Sequence, residues 1–258
     1  MTDHPVASRG RRNPLAGVLA KYTLDTVVTQ TGPVTPSMRR ILLRADTPVP
    51  FTWTPGQHVR VQINDPLSMG GILRPGETLR TYTIWEFDPG ERTLELRVHL
   101  YDGDGIGLSW ARTAAPGDPV TLWWPQGDFV LREEAPYHLF AGEETASVAF
   151  APMLRALAPS ARVYGVLESA GPEHDPPMPD RPDPLRRVHR DGASAASSAL
   201  LRDAVAALEL PAEPGFAYLA GEARSCRMVR DHLVRERGWP KSAIRLKPFW
   251  APGRRGLH

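Results

Sequence analysis

The sequence contains a single cysteine, Cys226, among its 258 residues. One thiol excludes an intramolecular disulfide, and it also excludes a zinc or iron–sulfur site built on four thiolates. The eight histidines are scattered without metal-ligand spacing, and no catalytic triad is recognisable. We therefore expect no metal site and no obligatory catalytic acid, base or nucleophile. Any redox centre must be a cofactor that is held without sulfur.

Long apolar segments are also missing. No run of about 18 apolar residues could span a membrane, and Arg9, Arg11 and Arg12 are not followed by the apolar core of a secretory signal. We therefore predict a cytoplasmic protein without membrane insertion. Residues 1–14 are polar and rich in arginine, so they have little to bury and are predicted to form a disordered tail.

The chain lacks a strong charge of either sign. Lysine and arginine total 31 against 29 aspartates and glutamates, which gives a formal net charge of +2. No stripe of basic residues offers the phosphate contacts that nucleic-acid binding requires, so nucleic acid is not an expected partner. The length suits two ordinary domains, and we expect the protein to be a monomer.

The first half of the chain has the period-two pattern of β-strands separated by turns. In the clearest run, Val59, Val61 and Ile63 share one face while polar residues occupy the other. The spacing of such runs between Pro, Gly and Asp turns predicts an antiparallel β-barrel domain over residues 15–133. The runs cover residues 39–45, 57–63, 80–87, 93–101 and 120–124.

After residue 136 the pattern changes to short apolar strands that alternate with helix-period segments. This alternation predicts a doubly wound parallel α/β domain, assigned to residues 137–258. Residues 171–184 contain six prolines and are predicted to be a loop, because proline interrupts helices and central strands. The predicted strands cover residues 138–141, 162–167 and 216–220, and the predicted helices cover 143–157, 194–208 and 223–237.

Arg80, Tyr82 and Thr83 form the pattern Arg-x-Tyr-Thr on one of the barrel strands. Alternate strand residues project from one face, so the Arg80 guanidinium could bind a pyrophosphate while the Tyr82 ring lies against an aromatic ring system. Thr83 would offer its hydroxyl and amide to a flavin nitrogen. An ordinary strand with a surface arginine and a half-buried tyrosine is the alternative, because so short a pattern also occurs by chance.

Longer motifs follow in a characteristic order, and with them the sequence resembles the siderophore-interacting proteins over about residues 20–256. The resemblance implies a flavin-dependent ferric-siderophore reductase, related in structure to ferredoxin reductases, with an FAD barrel followed by an NAD(P)H domain. The motifs are GDGIGLSWA at residues 103–111, PGD at 116–118, PQGDF at 125–129, FAGEETA at 140–146, LAGEARSCRMVRDHL at 219–233, and FW with GRR within 249–255.

The resemblance also implies roles for individual residues. Arg80 would hold the FAD phosphates, Tyr82 would pack on the isoalloxazine, and Thr83 would hydrogen-bond near its reactive nitrogen. A second flavin element would follow at residues 105–110, where small residues allow close backbone approach and a turn can offer amides to the pyrophosphate. A glycine-rich hairpin with a buried tryptophan is the alternative. The candidate contacts of this element are Gly105, Gly107, Leu108, Ser109 as the preferred hydroxyl, and Trp110.

The sequence departs from the family just upstream of this element. The family usually carries His-Gly there, whereas this chain has Tyr101-Asp102 and its nearest histidine is His99. A shift of two residues keeps the same strand face. His99 or Tyr101 could therefore contact the flavin, and a histidine without a role is the third possibility.

No Gly-x-Gly-x-x-Gly motif follows the first strand of the second half, which excludes the standard dinucleotide fingerprint. Two strand-to-helix turns, one with Gly142 and Thr145 and one with Gly221 and Glu222, are the candidate nicotinamide and phosphate contacts instead. Plain helix caps are the alternative. The choice between NADH and NADPH stays open. Candidates for a 2′-phosphate, which would favour NADPH, are Arg190, Arg224 and Arg227.

Ferric siderophores are often anionic, so a basic rim beside the flavin would attract them. Arg60 matches a basic position of a family strand motif, and Arg254 and Arg255 match its basic C-terminal end. These arginines are the candidate substrate contacts. The alternative is that they are exposed to solvent and bind no ligand. The leading hypothesis is a reductase whose partner is a ferric siderophore. A general NAD(P)H:flavin or ferredoxin-type reductase and a non-catalytic siderophore-binding module remain open.

Overall fold

The computed structural model of the protein describes residues 20–65 and 67–254, and the predicted tail at residues 1–14 lies outside this part. The strands of the first half are β1 (Thr23–Thr35), β2 (Met38–Ala45), β3 (His58–Gln62), β4 (Leu79–Asp88), β5 (Thr93–His99) and β6 (Pro119–Gln126). They close into a barrel in the order β1-β2-β5-β4-β3-β6, and each neighbouring pair is antiparallel. The predicted barrel is confirmed.

The alternating apolar positions of the sequence build the barrel core. Val59 and Val61 on β3 are fully buried with Ile84 on β4, as half-buried strands require. Two short helices interrupt the strands, α1 (Met69–Leu73) before β4 and α2 (Ile106–Thr113) after β5. Helix α2 packs against the barrel core, so the segment that could have been a glycine-rich hairpin is helical.

The second half contains a parallel sheet. Its strands are β7 (His138–Glu143), β8 (Val163–Ser169), β9 (Arg186–His189), β10 (Phe216–Glu222) and β11 (Ile244–Trp250), with helices α3 (Ser147–Ala156), α4 (Ala199–Ala206) and α5 (Ala223–Arg235). The strand order β11-β10-β7-β8-β9 is that of a doubly wound fold, with its switch point between β7 and β10. The predicted fold class is confirmed.

Two strands of this sheet, β9 and β11, were not predicted from the sequence. Both lie at the edges of the sheet, and β9 reads Arg-Arg-Val-His while β11 contains charged residues and Pro248. Edge strands tolerate polar residues and proline because one side of their backbone is unpaired. Their polar sequences therefore resemble loops.

The helices cover opposite faces of the sheet. Helix α3 packs its Phe150 against Phe140 and Tyr218, whereas α4 and α5 pack against the face that carries Leu139 and Leu219. Neighbouring strand residues point to opposite faces, and because helices cover both faces the central strands β7 and β10 are buried along their whole length. Within the described residues, no helix is both long enough and apolar enough to cross a membrane.

The barrel and the sheet pack directly against each other. Trp85 on β4 is buried against Val148 and Ala151 of α3. The Arg97 guanidinium lies 3.5 Å from the centroid of the Trp85 ring, and Arg155 of α3 donates a 2.5 Å hydrogen bond to the Trp85 carbonyl. At this junction Glu144, which follows β7, lies 3.6 Å from His99 at the end of β5. The boundary between the two domains stays a prediction.

Candidate functional site

The first candidate site forms where β4 meets α2. Arg80 and Tyr82 share a face of β4, and the Tyr82 hydroxyl donates a 2.9 Å hydrogen bond to the Gly107 carbonyl in α2. Arg80 Nη1 donates to the carbonyls of Gly76 and Leu79, each at 2.7 Å. These bonds hold the guanidinium at the Gly76 turn, and the stem of the Arg80 side chain lies against Gly107 of α2. Two motifs that are separate in sequence thus form one cluster.

Gly107 permits this close approach. A Cβ atom at Gly107 would lie 2.6 Å from the Tyr82 hydroxyl and 2.7 Å from Arg80 Cγ, so a side chain there would displace both residues. Trp110 adds a ring whose centroid is 5.4 Å from that of Tyr82. Burial raises the pKa of Tyr82 well above its usual range, and its hydroxyl therefore stays a neutral hydrogen-bond donor.

The start of α2 has the features of an anion site within this cluster. Its N-cap is Gly105, which makes no side-chain capping bond to the eight-residue helix. The first amides of a helix lack intrahelical partners and carry partial positive charge. Together with the Arg80 guanidinium they fit a dinucleotide pyrophosphate. The Leu108 side chain is buried, whereas Ser109 is exposed to solvent.

Thr83 lies on the other face of β4 from Arg80 and Tyr82. Its ladder partner is His58 on β3, a residue that the sequence did not single out. Burial, followed by the charges of Lys247 and Arg60, lowers the pKa of His58 to about 4. His58 is therefore neutral at neutral pH. In the sequence, His58 lies two residues from Arg60 and therefore on the same polar face of the strand. Only the folded structure shows that Lys247 of β11 lies near His58.

The structure separates His99 from Tyr101. The imidazole of His99 faces the sheet, with Nε2 3.6 Å from Glu144 Oε1, an ion-pair distance that is too long for a hydrogen bond. Tyr101 lies beyond the end of β5 and is exposed, and its ring lies over Gly103. The two residues therefore face different parts of the protein. Which of them contacts a flavin stays a prediction.

The two predicted turns lie at the carboxyl edge of the sheet, on either side of the switch point. Glu143 accepts hydrogen bonds from the Thr145 amide at 2.8 Å, from the Thr145 hydroxyl and from Trp250 Nε1 at 2.9 Å. Gly142 has no space for a side chain because the Ala220 carbonyl packs against it. Gly221, at φ +114°, would place a Cβ 2.6 Å from Glu143. Packing alone therefore requires both glycines.

Glu222 caps the start of α5 in the same way. Its carboxylate accepts bonds from the amides of Arg224 at 2.9 Å, Ser225 at 2.8 Å and Ser197 at 3.0 Å. The amides that were predicted to meet a phosphate thus already bind Glu143 and Glu222. A nucleotide phosphate does not fit at either turn unless it displaces a carboxylate. Roles for these residues at the nicotinamide or ribose stay predictions.

Arg190 belongs to a buried ion-pair network. Its guanidinium binds both oxygens of Glu144 at 2.7 Å and Glu168 at 3.1 Å, and its side chain is only 6% exposed. It is therefore not free for a 2′-phosphate, which corrects that candidate role. Arg224 and Arg227 are exposed on α5 and remain candidates.

Of the candidate substrate residues, Arg60 lies in a basic region near His58. Arg60 is half-buried, and its Nε has no hydrogen-bond partner in the part of the chain that the structure describes. Lys247 lies close enough to influence the same imidazole. Arg254 is exposed, and Arg255 lies outside the described residues. No group of metal-ligating side chains occurs in residues 20–65 and 67–254.

Comparison with known families agrees with this arrangement. Residues 73–129, which contain Arg80, Tyr82 and Gly107, match the siderophore-interacting FAD-binding domain. Residues 135–253, which contain the parallel sheet, match the siderophore-interacting protein family. The chain belongs to the siderophore-interacting protein family. Strands β4 to β6 of its barrel lie in the part that matches the family's FAD-binding domain.

Individual relatives cover most of the chain. An uncharacterised protein of Mycobacterium tuberculosis is 28% identical and covers 88% of this chain and 89% of its own length. Ferric vibriobactin reductase of Vibrio cholerae is 27% identical over 77% of this chain and 78% of its own length. The shared lengths show that the likeness spans both halves.

Solved structures show the same architecture. A siderophore utilization protein from T. fusca has a TM-score of 0.77 at 25% identity, with 92% of this chain and 95% of that one covered. The ferredoxin reductase in carbazole 1,9a-dioxygenase has a TM-score of 0.69 at 18% identity, with coverages of 88% and 68%. The second likeness shows the fold alone.

Proposed function

We propose that this protein reduces ferric siderophores, using FAD in the barrel and a reduced nicotinamide dinucleotide as electron donor in the cytoplasm. The observation that carries the proposal is the cluster of Arg80, Tyr82 and Gly107 beside the uncapped start of α2, within the segment that matches the family's FAD-binding domain. The name of the Vibrio cholerae relative supports the iron substrate.

The residues of the barrel would bind and orient FAD. A bound FAD accepts two electrons from a nicotinamide and can release them singly, as the reduction of Fe(III) to Fe(II) requires. Arg80 and the first amides of α2 hold the pyrophosphate, and Tyr82 packs on the ring system. Thr83, together with His99 or Tyr101, would contact the ring near its reactive nitrogen.

The donor would bind at the carboxyl edge of the sheet beside the switch point, the usual ligand position in doubly wound folds. Thr145 and Glu222 border this edge, but Glu143 and Glu222 already occupy the two helix starts. The exposed Arg224 and Arg227 are the basic residues nearest the start of α5. We propose that they, and not the helix amides, receive the donor's phosphates.

The substrate would bind at the basic region around Arg60, Lys247 and Arg254. Fe(III) prefers hard, charged oxygen ligands more strongly than Fe(II) does, so reduction loosens the chelate. The chain's contribution is therefore to hold an anionic chelate near the flavin edge. No acid, base or nucleophile from the protein is needed for the electron transfer itself.

We expect the purified protein to be yellow and to release FAD on denaturation. The reason is that the Arg80 guanidinium and the α2 amides together suit a pyrophosphate, which FMN lacks. The measurement is a visible spectrum followed by chromatography of the released flavin. Release of FMN would contradict the phosphate assignment. A protein that stays colourless after addition of FAD would favour the non-catalytic binding module.

Neutralising the basic region is expected to weaken the binding of anionic ferric siderophores. Arg60→Gln, Lys247→Gln and Arg254→Gln, combined with Arg255→Gln, should raise the apparent KM and flatten its salt dependence, because ions screen exposed charges. Reduction of the flavin by the donor, followed by stopped-flow absorbance, should stay near its original rate. Arg235→Gln is the matched control, since Arg235 is 78% exposed in the last turn of α5.

Two outcomes would contradict this placement of the substrate. An equal loss in flavin reduction and iron reduction would place these residues in the fold or the donor site. Equal activity with ferric siderophores, free flavin and ferredoxin would favour a general reductase, the function that the ferredoxin reductase fold also permits.

A further inference from the structure

The segment that leads from β5 into α2 has no regular secondary structure, and we call its residues 101–105 the entry turn. Arg112, in the last turn of α2, donates from Nη2 to the Tyr101 carbonyl at 2.6 Å and from Nη1 to the Gly103 carbonyl at 3.0 Å. Two bonds from one planar guanidinium fix the orientation of the entry turn as well as its distance. The end of the helix therefore holds the segment that leads into its start.

The barrel in turn holds α2 at both ends. Arg39 of β2 donates to the Arg112 carbonyl at 2.6 Å and to the Ala114 carbonyl at 2.9 Å, where the helix ends. Near the start of the helix, the Gly107 carbonyl accepts the hydrogen bond from Tyr82 of β4. Because α2 is fixed to the barrel, the bonds from Arg112 also fix the entry turn relative to the barrel.

The entry turn carries a carboxylate directly before the helix. Asp104 precedes Gly105, the N-cap of α2, and the exposed Asp104 carboxylate accepts no hydrogen bond within the described residues. Aspartate is a better N-cap than glycine, because its carboxylate accepts bonds from the first amides and complements their partial positive charge. A shift of the entry turn by one residue would therefore make Asp104 the cap of α2.

Two other helix starts of this protein show what such a carboxylate does. Glu143 accepts a hydrogen bond from the Thr145 amide at 2.8 Å. Glu222 accepts one from the Ser225 amide at 2.8 Å. Those amides are closed to a phosphate, whereas Gly105 makes no side-chain capping bond and leaves the first amides of α2 available as donors.

We propose that Arg112 is a positioning residue that holds the entry turn, keeps Asp104 from capping α2 and leaves the first amides open to the FAD pyrophosphate. The inference rests on the proposed function, because it requires the pyrophosphate at the start of α2. A carboxylate at that place would occupy the amides and repel the phosphates through its like charge. Arg112 therefore acts on FAD through the entry turn.

Titration of flavin-free protein with FAD, with ADP as the pyrophosphate half and with riboflavin as the ring half tests this role. Arg112→Ala should weaken the binding of FAD and of ADP by about tenfold, because a capping carboxylate must first leave the amides. The affinity for riboflavin should stay unchanged, since riboflavin has no phosphate. Arg44→Ala, which removes an exposed arginine from β2, is the control and should leave all three affinities unchanged.

Removal of the carboxylate separates positioning from charge. In the Arg112→Ala background, Asp104→Ala should restore the binding of FAD and ADP to within about twofold of wild type. On its own, Asp104→Ala should change little, because the wild-type entry turn already holds this carboxylate away from the helix. Such non-additivity shows that two residues act as a unit. Asp102→Ala removes the same charge two residues earlier in the same turn, and it should not restore binding.

Four outcomes would overturn the inference while the proposed function stands. They are wild-type FAD affinity in Arg112→Ala, equal weakening for FAD and riboflavin, equal gains from Asp104→Ala with and without Arg112, and equal rescue by Asp102→Ala. Arg112→Gln keeps one donor and takes the place of Arg112→Ala if the alanine variant does not fold. A wild-type protein that binds no FAD would overturn the proposed function together with the inference.

Discussion

Replacing Arg80 with alanine is expected to weaken FAD binding by about ten- to a hundred-fold. The guanidinium is oriented by two 2.7 Å bonds to the carbonyls of Gly76 and Leu79, and the stem of the Arg80 side chain packs against Gly107 of α2. Loss of a charge-assisted contact to a pyrophosphate costs roughly 1.5 to 3 kcal/mol, which corresponds to that range of affinity. The measurement is FAD affinity by fluorescence titration of protein from which the flavin has been removed.

Two further variants separate charge from geometry at this position. Arg80→Lys keeps a positive charge but loses the planar fork that matches a phosphate, so an intermediate affinity is expected. Arg74→Ala removes an arginine that is 73% exposed and close in sequence, and it should leave affinity unchanged. Unchanged FAD retention in Arg80→Ala would remove Arg80 from the flavin site.

Replacing Arg190 with alanine is expected to lower the free energy of unfolding by about 3 to 5 kcal/mol at neutral pH, because removing one partner of a buried ion pair leaves charge uncompensated. Glu144 and Glu168 would lose their cation while their side chains are 5% and 0% exposed. Urea unfolding measures the change. The exposed pair of Arg230 and Asp231 is the control, since surface pairs contribute about 0 to 1 kcal/mol.

The effect of Arg190→Ala should depend on pH in a defined direction. The pKa of Glu144 falls from its ordinary 4.5 to about 2 in the folded protein. A carboxylate with a lowered pKa stabilises the fold above its unfolded pKa and loses that contribution as the pH falls through the folded value. The difference in the free energy of unfolding between wild type and variant should therefore be largest near pH 7 and should shrink as the pH falls from 4.5 toward 2. A constant difference would contradict this origin.

Local patterns accounted for much of the architecture. Barrel strands alternate apolar and polar residues because one face packs on the core, and this period is visible in the segment from Val59 to Ile63. The sheet strands β7 and β10 are mainly apolar and buried along their whole length because helices cover both faces. The edge strands β9 and β11 were missed, because an unpaired edge does not require apolar residues.

The candidate site was only partly visible in the sequence. Arg80 and Tyr82 could be paired because strand residues two apart share a face. Gly107 was a candidate flavin contact, but its close packing against Arg80 and Tyr82 could not be foreseen, because it depends on how closely α2 approaches β4. The same limit applies to Lys247, which is far from Arg60 in the chain and reaches His58 only through the packing of β11 beside the barrel.

The sequence by itself determined the two halves, the family and the residues of the flavin motif, because these depend on short-range periodicity and on motifs read in order. The tertiary structure alone decided which charges are free. Arg190 reads as a surface arginine, yet it is buried between Glu144 and Glu168, and the helix starts at Glu143 and Glu222 are already capped. Burial and ion pairing depend on long-range contacts, and a buried charge must find its partner within the fold.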